Sequence, residues 1–523
     1  MKKNTVKLII LLMIMVSWAK AGLAGDWILH TINVIVLILL LSNYKTLNFK
    51  HLIPFLLLIV YFIISYFNPS YKILDENDWK ELDIEKSIPT EKNIEKIKFF
   101  SENINLLYNS FQRDPDLSLA LYFHTYNKYK DNFLFNNSPV DKFMNLLIEK
   151  ISLKPINFLP SVAIKHEKKI VDFFHFFFQL IFGIAVFNCV KNLAQIKRII
   201  LILSYNALLI TIFGIVQKLN YTPSDNLNEI WGIWDTPEPR YFFASFTYKN
   251  HWSCFAILSI FMISSILNKY VDRYHIISNK NIIFFISLII IIISIPVSGS
   301  RSGTIICFLS VFTITIFLLG KKNNYNLVKI ILVLFIISSV LISTLWFSSK
   351  LDNNTFIEMK KNSQSQIDSL QQNKLPLRVL LWNDLVMQIA QKPLLGFGFN
   401  SYRSLNPYYQ SIEVREQRNQ VLLNAHHEFI PLIRYAHNDW LEKLSEFGFL
   451  GLLPFTPFLI ALIKLPFTSK SQTSKILALG VIAYFAYSFI DFPSRNPCCF
   501  LTFTLISGIA LKYNHIVKEK YNV

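Results

Sequence analysis

Apolar residues gather in long blocks along this chain, and short polar turns or two long polar stretches part them. The blocks fall at 6–22, 27–42, 51–67, 170–190, 197–219, 251–267, 282–297, 302–320, 328–347, 441–463, 475–490 and 498–513. An α-helix rises about 1.5 Å per residue, so blocks of this length cross a hydrocarbon core of about 30 Å. The pattern predicts an all-α polytopic membrane protein of about 12 transmembrane helices. Five regions follow: N-terminal helices over 1–67, a polar insertion over 68–169, a helical core over 170–347, a long polar loop over 348–440 and C-terminal helices over 441–523.

Alternating the blocks across a membrane puts both long polar stretches on the outer side. In the insertion, Ile94, Ile97, Ile104, Leu107 and Phe111 recur at helical spacing, which predicts an amphipathic helix in a small outer domain. Nothing in that domain has a catalytic pattern. Outer segment 220–250 carries Trp231 and Trp234 and runs into FTYKNHW at 246–252. Its aromatics fit an interfacial belt or a surface that stacks on sugar rings. A tight turn at Ser298–Gly303 and a later one at Asp491–Arg495 complete the outer face.

Composition sharpens this. With 52% hydrophobic residues, 46 of all residues being Phe, the chain is excluded from ordinary soluble domains. A net charge of +18 raises nucleic acid as a partner, but its distribution argues against one. Lys45, Lys50, Lys191, Lys197, Arg198, Lys269, Arg273, Lys280, Lys321, Lys322, Lys464, Lys470 and Lys475 all fall in inner loops, where Asp272 and Glu519 are nearly the only acids. This positive-inside bias places both termini in the cytoplasm. The first block, with its basic start and small residues near Ala19 and Ala21, reads as a signal peptide or an uncleaved first helix. The topology is the same either way. The five cysteines have no metal-ligand spacing; Cys189, Cys254 and Cys307 read as packing residues, and adjacent Cys498 and Cys499 start an outer helix.

Three residues stand out on the outer face. Arg301 sits at the end of an apolar helix in the turn SGSRSG, where it either snorkels to headgroups or, with the turn's backbone N–H groups, holds an anion. Arg378 opens a stretch in which Leu377, Leu380, Leu381, Leu385 and Ile389 form an apolar stripe. Pro376 opens this helix and Lys392-Pro393 closes it, and with Asn383, Asp384 and Gln388 interspersed it lies on the membrane rather than spanning it. Arg378 is either on a solvated face or part of a site. Gly396 and Gly398 follow, where backbone can approach a ligand closely. His437 stands where the long loop enters an apolar helix; it is either a base or a helix cap, and Asn438 and Asp439 compete for the capping role. Upstream His426 and His427 read as loop residues. Gly448 and Gly451 would let a neighbouring helix or a lipid approach. No HExxH, paired CxxC or carboxylate cluster has metal spacing, which favours metal-free chemistry.

Together these motifs resemble the O-antigen ligase/polymerase superfamily. GSRSG at 299–303, RVLLW followed by KPLLGFGFNSY within 378–402, and HN-x9-GxxG at 437–451 occur in its order and approximate separations. FTYKNHW and DFPSRNP at 491–497 are similar to further family segments, and the likeness spans roughly 170–513. Leu452 departs from the Gly or Thr of some ligases. The resemblance implies a GT-C-like glycosyltransferase of the bacterial inner membrane with two large periplasmic segments. It would take a glycan from undecaprenyl diphosphate to an acceptor hydroxyl, lipid A-core being favoured over another lipid-linked repeat or a protein. By position, it implies that Arg301 and Arg378 bind the diphosphate and that His437 is the catalytic base. Asn250, His251, Gly396, Gly398, Asn438, Asp491 and Arg495 are further candidate substrate contacts. No cofactor is implied; the partners are the lipid-linked donor, the acceptor and membrane lipids. Guanidinium groups suit a departing diphosphate, and histidine suits removal of a hydroxyl proton near neutrality. Attack opposite the diphosphate would invert the anomeric centre. A transporter or flippase for a lipid-linked anion is the alternative from another class, but it should show polar residues at mid-span in matched halves. Here they gather at outer helix ends.

Overall fold

The computed structural model describes residues 4–72, 114–120, 123, 145–146, 148–219, 229–230, 234–235, 242–271, 279–319, 375–423 and 433–520. The expected span at 328–347, the amphipathic helix over 94–111, Trp231, His426 and His427 lie outside these residues.

The other apolar blocks all fall on helices, and the chain is a helical, polytopic membrane protein. Among the described residues, six helices are long and apolar enough to cross a membrane: Phe49–Tyr66, Glu167–Cys189, Leu193–Lys218, Lys249–Leu267, Asp439–Thr468 and Pro497–Lys520. Thr5–Trp18, Asp26–Ser42, Ile282–Val297 and Arg301–Phe317 are shorter apolar helices. Strands among the described residues are two short pairs, Pro69–Tyr71 parallel to Val162–Ile164 and Glu229–Ile230 antiparallel to Trp234–Asp235.

The chain divides into two compact units. The first comprises Met1–Leu52, Phe174–Gln371 and Thr456–Val523. Its centre is helix Lys249–Val271, which packs against helices Leu193–Leu219, Asn279–Val297, Arg301–Leu319, Gln472–Ser488 and Pro497–Lys520. Gly183 and Gly508 let two of the unit's helices touch: a Cβ on Gly508 would lie 2.4 Å from the Gly183 carbonyl oxygen. Close approach through small residues is how helices pack where hydrocarbon surrounds them. On helix Arg301–Leu319, Ile305, Leu309, Phe312 and Ile316 form an exposed apolar stripe. A water-soluble surface rarely presents such a face; lipid covers it at no cost.

The second unit comprises Ile53–Phe173 and Gln372–Phe455. It therefore joins the insertion to the long loop, which the sequence had presented as separate regions. Phe62 stacks on Phe173 at 3.8 Å, and Phe399 meets both rings edge-on at 6.3 and 5.6 Å. The foot of the insertion is laced to itself by the Pro69–Tyr71 strand and by Asn68, which donates to the Pro160 carbonyl and accepts from the Ile156 N–H.

A buried charge network then ties the insertion to the loop. Asp116 accepts from His166 Nε2 and Lys169 Nζ, each at 2.9 Å, and from Ser404 Oγ at 3.0 Å; Arg403 pairs with Asp114 at 2.8 Å. Burial is the strongest single influence on Asp116 and opposes its charge. The Lys169 charge and the His166 hydrogen bond and charge together outweigh it, holding the carboxyl well below the usual carboxylate range.

Candidate functional site

His437, Asn438, Arg378, Gly396 and Gly398 fall in the second unit. Helix Leu377–Gln391 begins directly after Pro376, whose φ of −56° suits a helix entry. Its apolar stripe does not face lipid: Leu385 and Ile389 pack on Tyr402 and Ala436, and Leu380 and Leu381 on Val414. Val386 and Met387 are its exposed apolar residues instead. Trp382 reaches across and donates from Nε1 to the Ala436 carbonyl at 3.0 Å. Arg378 lies one turn before Trp382 on a helix, where residues four apart share a face. Arg378 itself is half-buried.

The His437 backbone is clamped from both sides. Ala436 donates its N–H to buried Glu442 Oε2 at 3.0 Å, while its carbonyl takes the Trp382 bond. Asn438 is the helix cap, its Oδ1 accepting from the Leu441 N–H at 3.0 Å. Between them His437 adopts φ +52°, a left-handed conformation that L residues other than Asn, Asp and His rarely take. Capping belongs to Asn438, so the imidazole is placed by the clamp without serving as the cap.

The glycine motifs explain each other. Helix Asp439–Leu452 departs from helical geometry at Gly448, with φ +63° and ψ −179°, a region open essentially to glycine alone. The break exposes the Ser445 and Glu446 carbonyls and the Phe449 and Leu450 N–H groups. Segment Pro393–Gly398 satisfies all four: Phe397 and Gly398 donate to Ser445 and Glu446, and Phe449 and Leu450 donate to Pro393 and Leu394, at 2.8–2.9 Å. A Cβ on Gly396 would lie 2.5 Å from the Glu446 carbonyl oxygen, and one on Gly398 2.5 Å from that of Ser161. The close approach that these glycines permit is thus to the chain's own backbone. Tyr61 seals the break by donating its hydroxyl to the Leu395 carbonyl.

Arg301, Asn250, His251, Asp491 and Arg495 fall in the first unit. Gly299, at φ +80°, turns the chain after helix Asn279–Val297, and Arg301 opens the next helix. Ser300 precedes it, fully buried, with Oγ accepting from the Gly303 N–H at 3.1 Å, an N-cap bond. Gly303 is needed because a Cβ there would lie 2.4 Å from that of Ser253. Ser300 Oγ donates to Asn250 Oδ1 at 2.7 Å, and Asn250 Nδ2 donates to buried Asp491 Oδ2. Asp491 Oδ1 accepts from the Phe492 N–H at 2.9 Å. His251 meets the Tyr248 and Phe492 rings edge-on, each at 5.1 Å. Arg495 ends the short 3-10 turn Pro493–Arg495 and is half-buried.

Sequence reasoning missed Ser300, Glu442 and the partner role of Trp382. A serine three residues before Gly303 is an N-cap signal that could have been read. Glu442 lies only six residues after Ala436, close enough for a local helix-entry pattern to have suggested it, whereas Trp382 acts across 54 residues, which no local pattern encodes.

The O-Antigen ligase family model matches residues 286–456. The match takes in Arg301, Arg378, Gly396, Gly398, His437 and Asn438 and leaves Asn250, His251, Asp491 and Arg495 outside. No curated protein matches the chain.

Proposed function

We propose that this chain, whose residues 286–456 belong to the O-antigen ligase family of membrane glycan-transfer enzymes, moves a glycan from undecaprenyl diphosphate to an acceptor hydroxyl at the outer face of the bacterial inner membrane. The carrying observation is that the matched stretch contains Arg301, Arg378 and His437. In the reaction, His437 takes the proton of the acceptor hydroxyl as its oxygen attacks the anomeric carbon. The bond from that carbon to the diphosphate oxygen breaks, and undecaprenyl diphosphate leaves with the electron pair. Arg301 and Arg378 offset the charge that develops on it, as fixed cations do in a site shielded from water. The anomeric centre inverts and no metal takes part. The favoured acceptor is lipid A-core. The favoured topology has about twelve spans, both termini in the cytoplasm and the two polar regions in the periplasm.

The deciding experiment supplies the purified protein with a lipid-linked glycan and, in turn, lipid A-core, a second lipid-linked repeat and a hydroxyl-bearing protein. A new glycosidic bond to lipid A-core, formed in excess chelator, is the expected result. A new bond only to a second repeat would make the enzyme a polymerase, and movement of the donor across a bilayer with no new bond would make it a flippase.

A further inference from the structure

We infer that Asp491, Asn250 and Ser300 form a one-directional hydrogen-bond relay that fixes the start of helix Arg301–Leu319, and so act as positioning residues for Arg301 rather than as substrate contacts. The inference rests on the proposed role of Arg301 in holding the diphosphate.

The direction comes from donor and acceptor capacity. A carboxylate can only accept. Asp491 has no exposed surface; its Oδ1 is occupied by the Phe492 N–H at 2.9 Å and its Oδ2 by Asn250. Asn250 must therefore turn its NH2 group toward Asp491. The second hydrogen of that group goes to the Tyr248 hydroxyl at 2.9 Å. With the amide so turned, Oδ1 faces Ser300, whose hydroxyl has to donate to it at 2.7 Å. That leaves a lone pair on Ser300 Oγ to accept from the Gly303 N–H at 3.1 Å. Each bond dictates the sense of the next, from the carboxylate to the first turn that carries Arg301.

The surroundings hold the relay rigid. The Tyr487 hydroxyl donates to the Asn250 carbonyl at 2.8 Å, and the Tyr248 ring lies nearly parallel to that of Phe492, 5.6 Å away. Gly303 brings the helix start against Ser253, which lies on the same helix as Asn250. A long arginine side chain gives up much rotamer freedom when it binds, so a fixed base narrows what its guanidinium must search. Asn250 and Asp491 are buried, and both N–H donors of Asn250 are engaged within the relay, so neither side chain is presented to a sugar or a phosphate.

The test uses the full-length purified protein and two readouts. The first is the dissociation constant for undecaprenyl diphosphate, measured for wild type, Asp491→Asn, Ser300→Ala, Ser300→Thr, Arg301→Ala and their double variants. The second, made without ligand, is hydrogen exchange of the Gly303 and Thr304 amides. Asp491→Asn keeps the volume but lets either end of the amide face Asn250, so the direction is lost. It and Ser300→Ala should each weaken binding roughly tenfold, the scale of one lost hydrogen bond. Ser300→Thr, which keeps the hydroxyl, should restore binding. The double Asp491→Asn, Ser300→Ala should be no worse than Ser300→Ala, and neither change should matter once Arg301 is alanine. Losses that multiply in the double variant, or persist in the Arg301→Ala background, would overturn the relay and make Asp491 a direct contact. If Ser300→Ala does not fold, the Asp491→Asn and Arg301→Ala pair completes the same cycle. Absence of binding in wild type, with faster Gly303 exchange in Asp491→Asn, would defeat the donor reading and leave the relay standing. Unchanged exchange would overturn the relay itself.

Discussion

At the scale of single residues, the account turns on a histidine whose backbone is fixed before any substrate arrives. Glu442, Trp382 and Asn438 each hold a backbone group beside His437 or cap the helix after it. Removing the imidazole should cost about 10²–10⁴ in the rate of transfer, the usual worth of a general base, with donor binding retained. Comparing kcat with the donor dissociation constant for His437→Ala checks this; a fall in binding with an unchanged rate would assign the histidine to donor recognition. Asn438→Ala removes the cap and should lower stability by about 1 kcal/mol, read as a lower unfolding temperature. The sequence left His437, Asn438 and Asp439 as rivals for the cap because all three precede the apolar block that begins at 441. Only the reach of one oxygen to the Leu441 N–H separates them, and that depends on dihedral angles that composition does not reveal.

At the scale of elements, apolar block lengths located the helices well, since hydrocarbon thickness imposes a length that a linear pattern can show. They did not reveal that the block 441–463 is broken. Gly448 and Gly451 read as a site for close approach by a helix or lipid, whereas Gly448 opens the helix to receive Pro393–Gly398. The partner lies about fifty residues away along the chain, so nothing near Gly448 identifies it. Gly448→Ala should be among the most damaging small substitutions. Its Cβ would lie 2.4 Å from the Leu394 carbonyl oxygen, and the conformation itself excludes alanine. Strain of this kind costs about 1–3 kcal/mol and overpacking a similar amount. A stability equal to wild type in thermal unfolding would contradict the pairing of the two glycine motifs. The apolar stripe on Leu377–Gln391 was legible as a stripe, but its spacing could not say whether lipid or the Ala436 segment covers it.

At the scale of the whole molecule, the sequence separated the insertion from the loop because a long helical core lies between them in the chain. Asp116, His166, Lys169 and Ser404 join them in one unit, and charges this far apart in sequence carry no local sign of their pairing. A carboxyl held below its ordinary value stabilises the fold above the unfolded-state value, about 3.9, and that stability fades as pH falls toward the folded value. Asp116→Asn should therefore unfold more easily than wild type at neutral pH, and the gap should narrow below about pH 4; a gap independent of pH would remove the charge from the explanation. The likeness to the O-antigen ligase family over 286–456 was legible, because its short motifs recur in fixed order. The most direct test of the central claim is a single-turnover assay with an undecaprenyl-diphosphate-linked glycan and lipid A-core, run on wild type and His437→Ala. Wild type should release undecaprenyl diphosphate in step with one new, inverted glycosidic bond, and His437→Ala should bind the donor but form almost none. Equal transfer by both proteins would contradict the account.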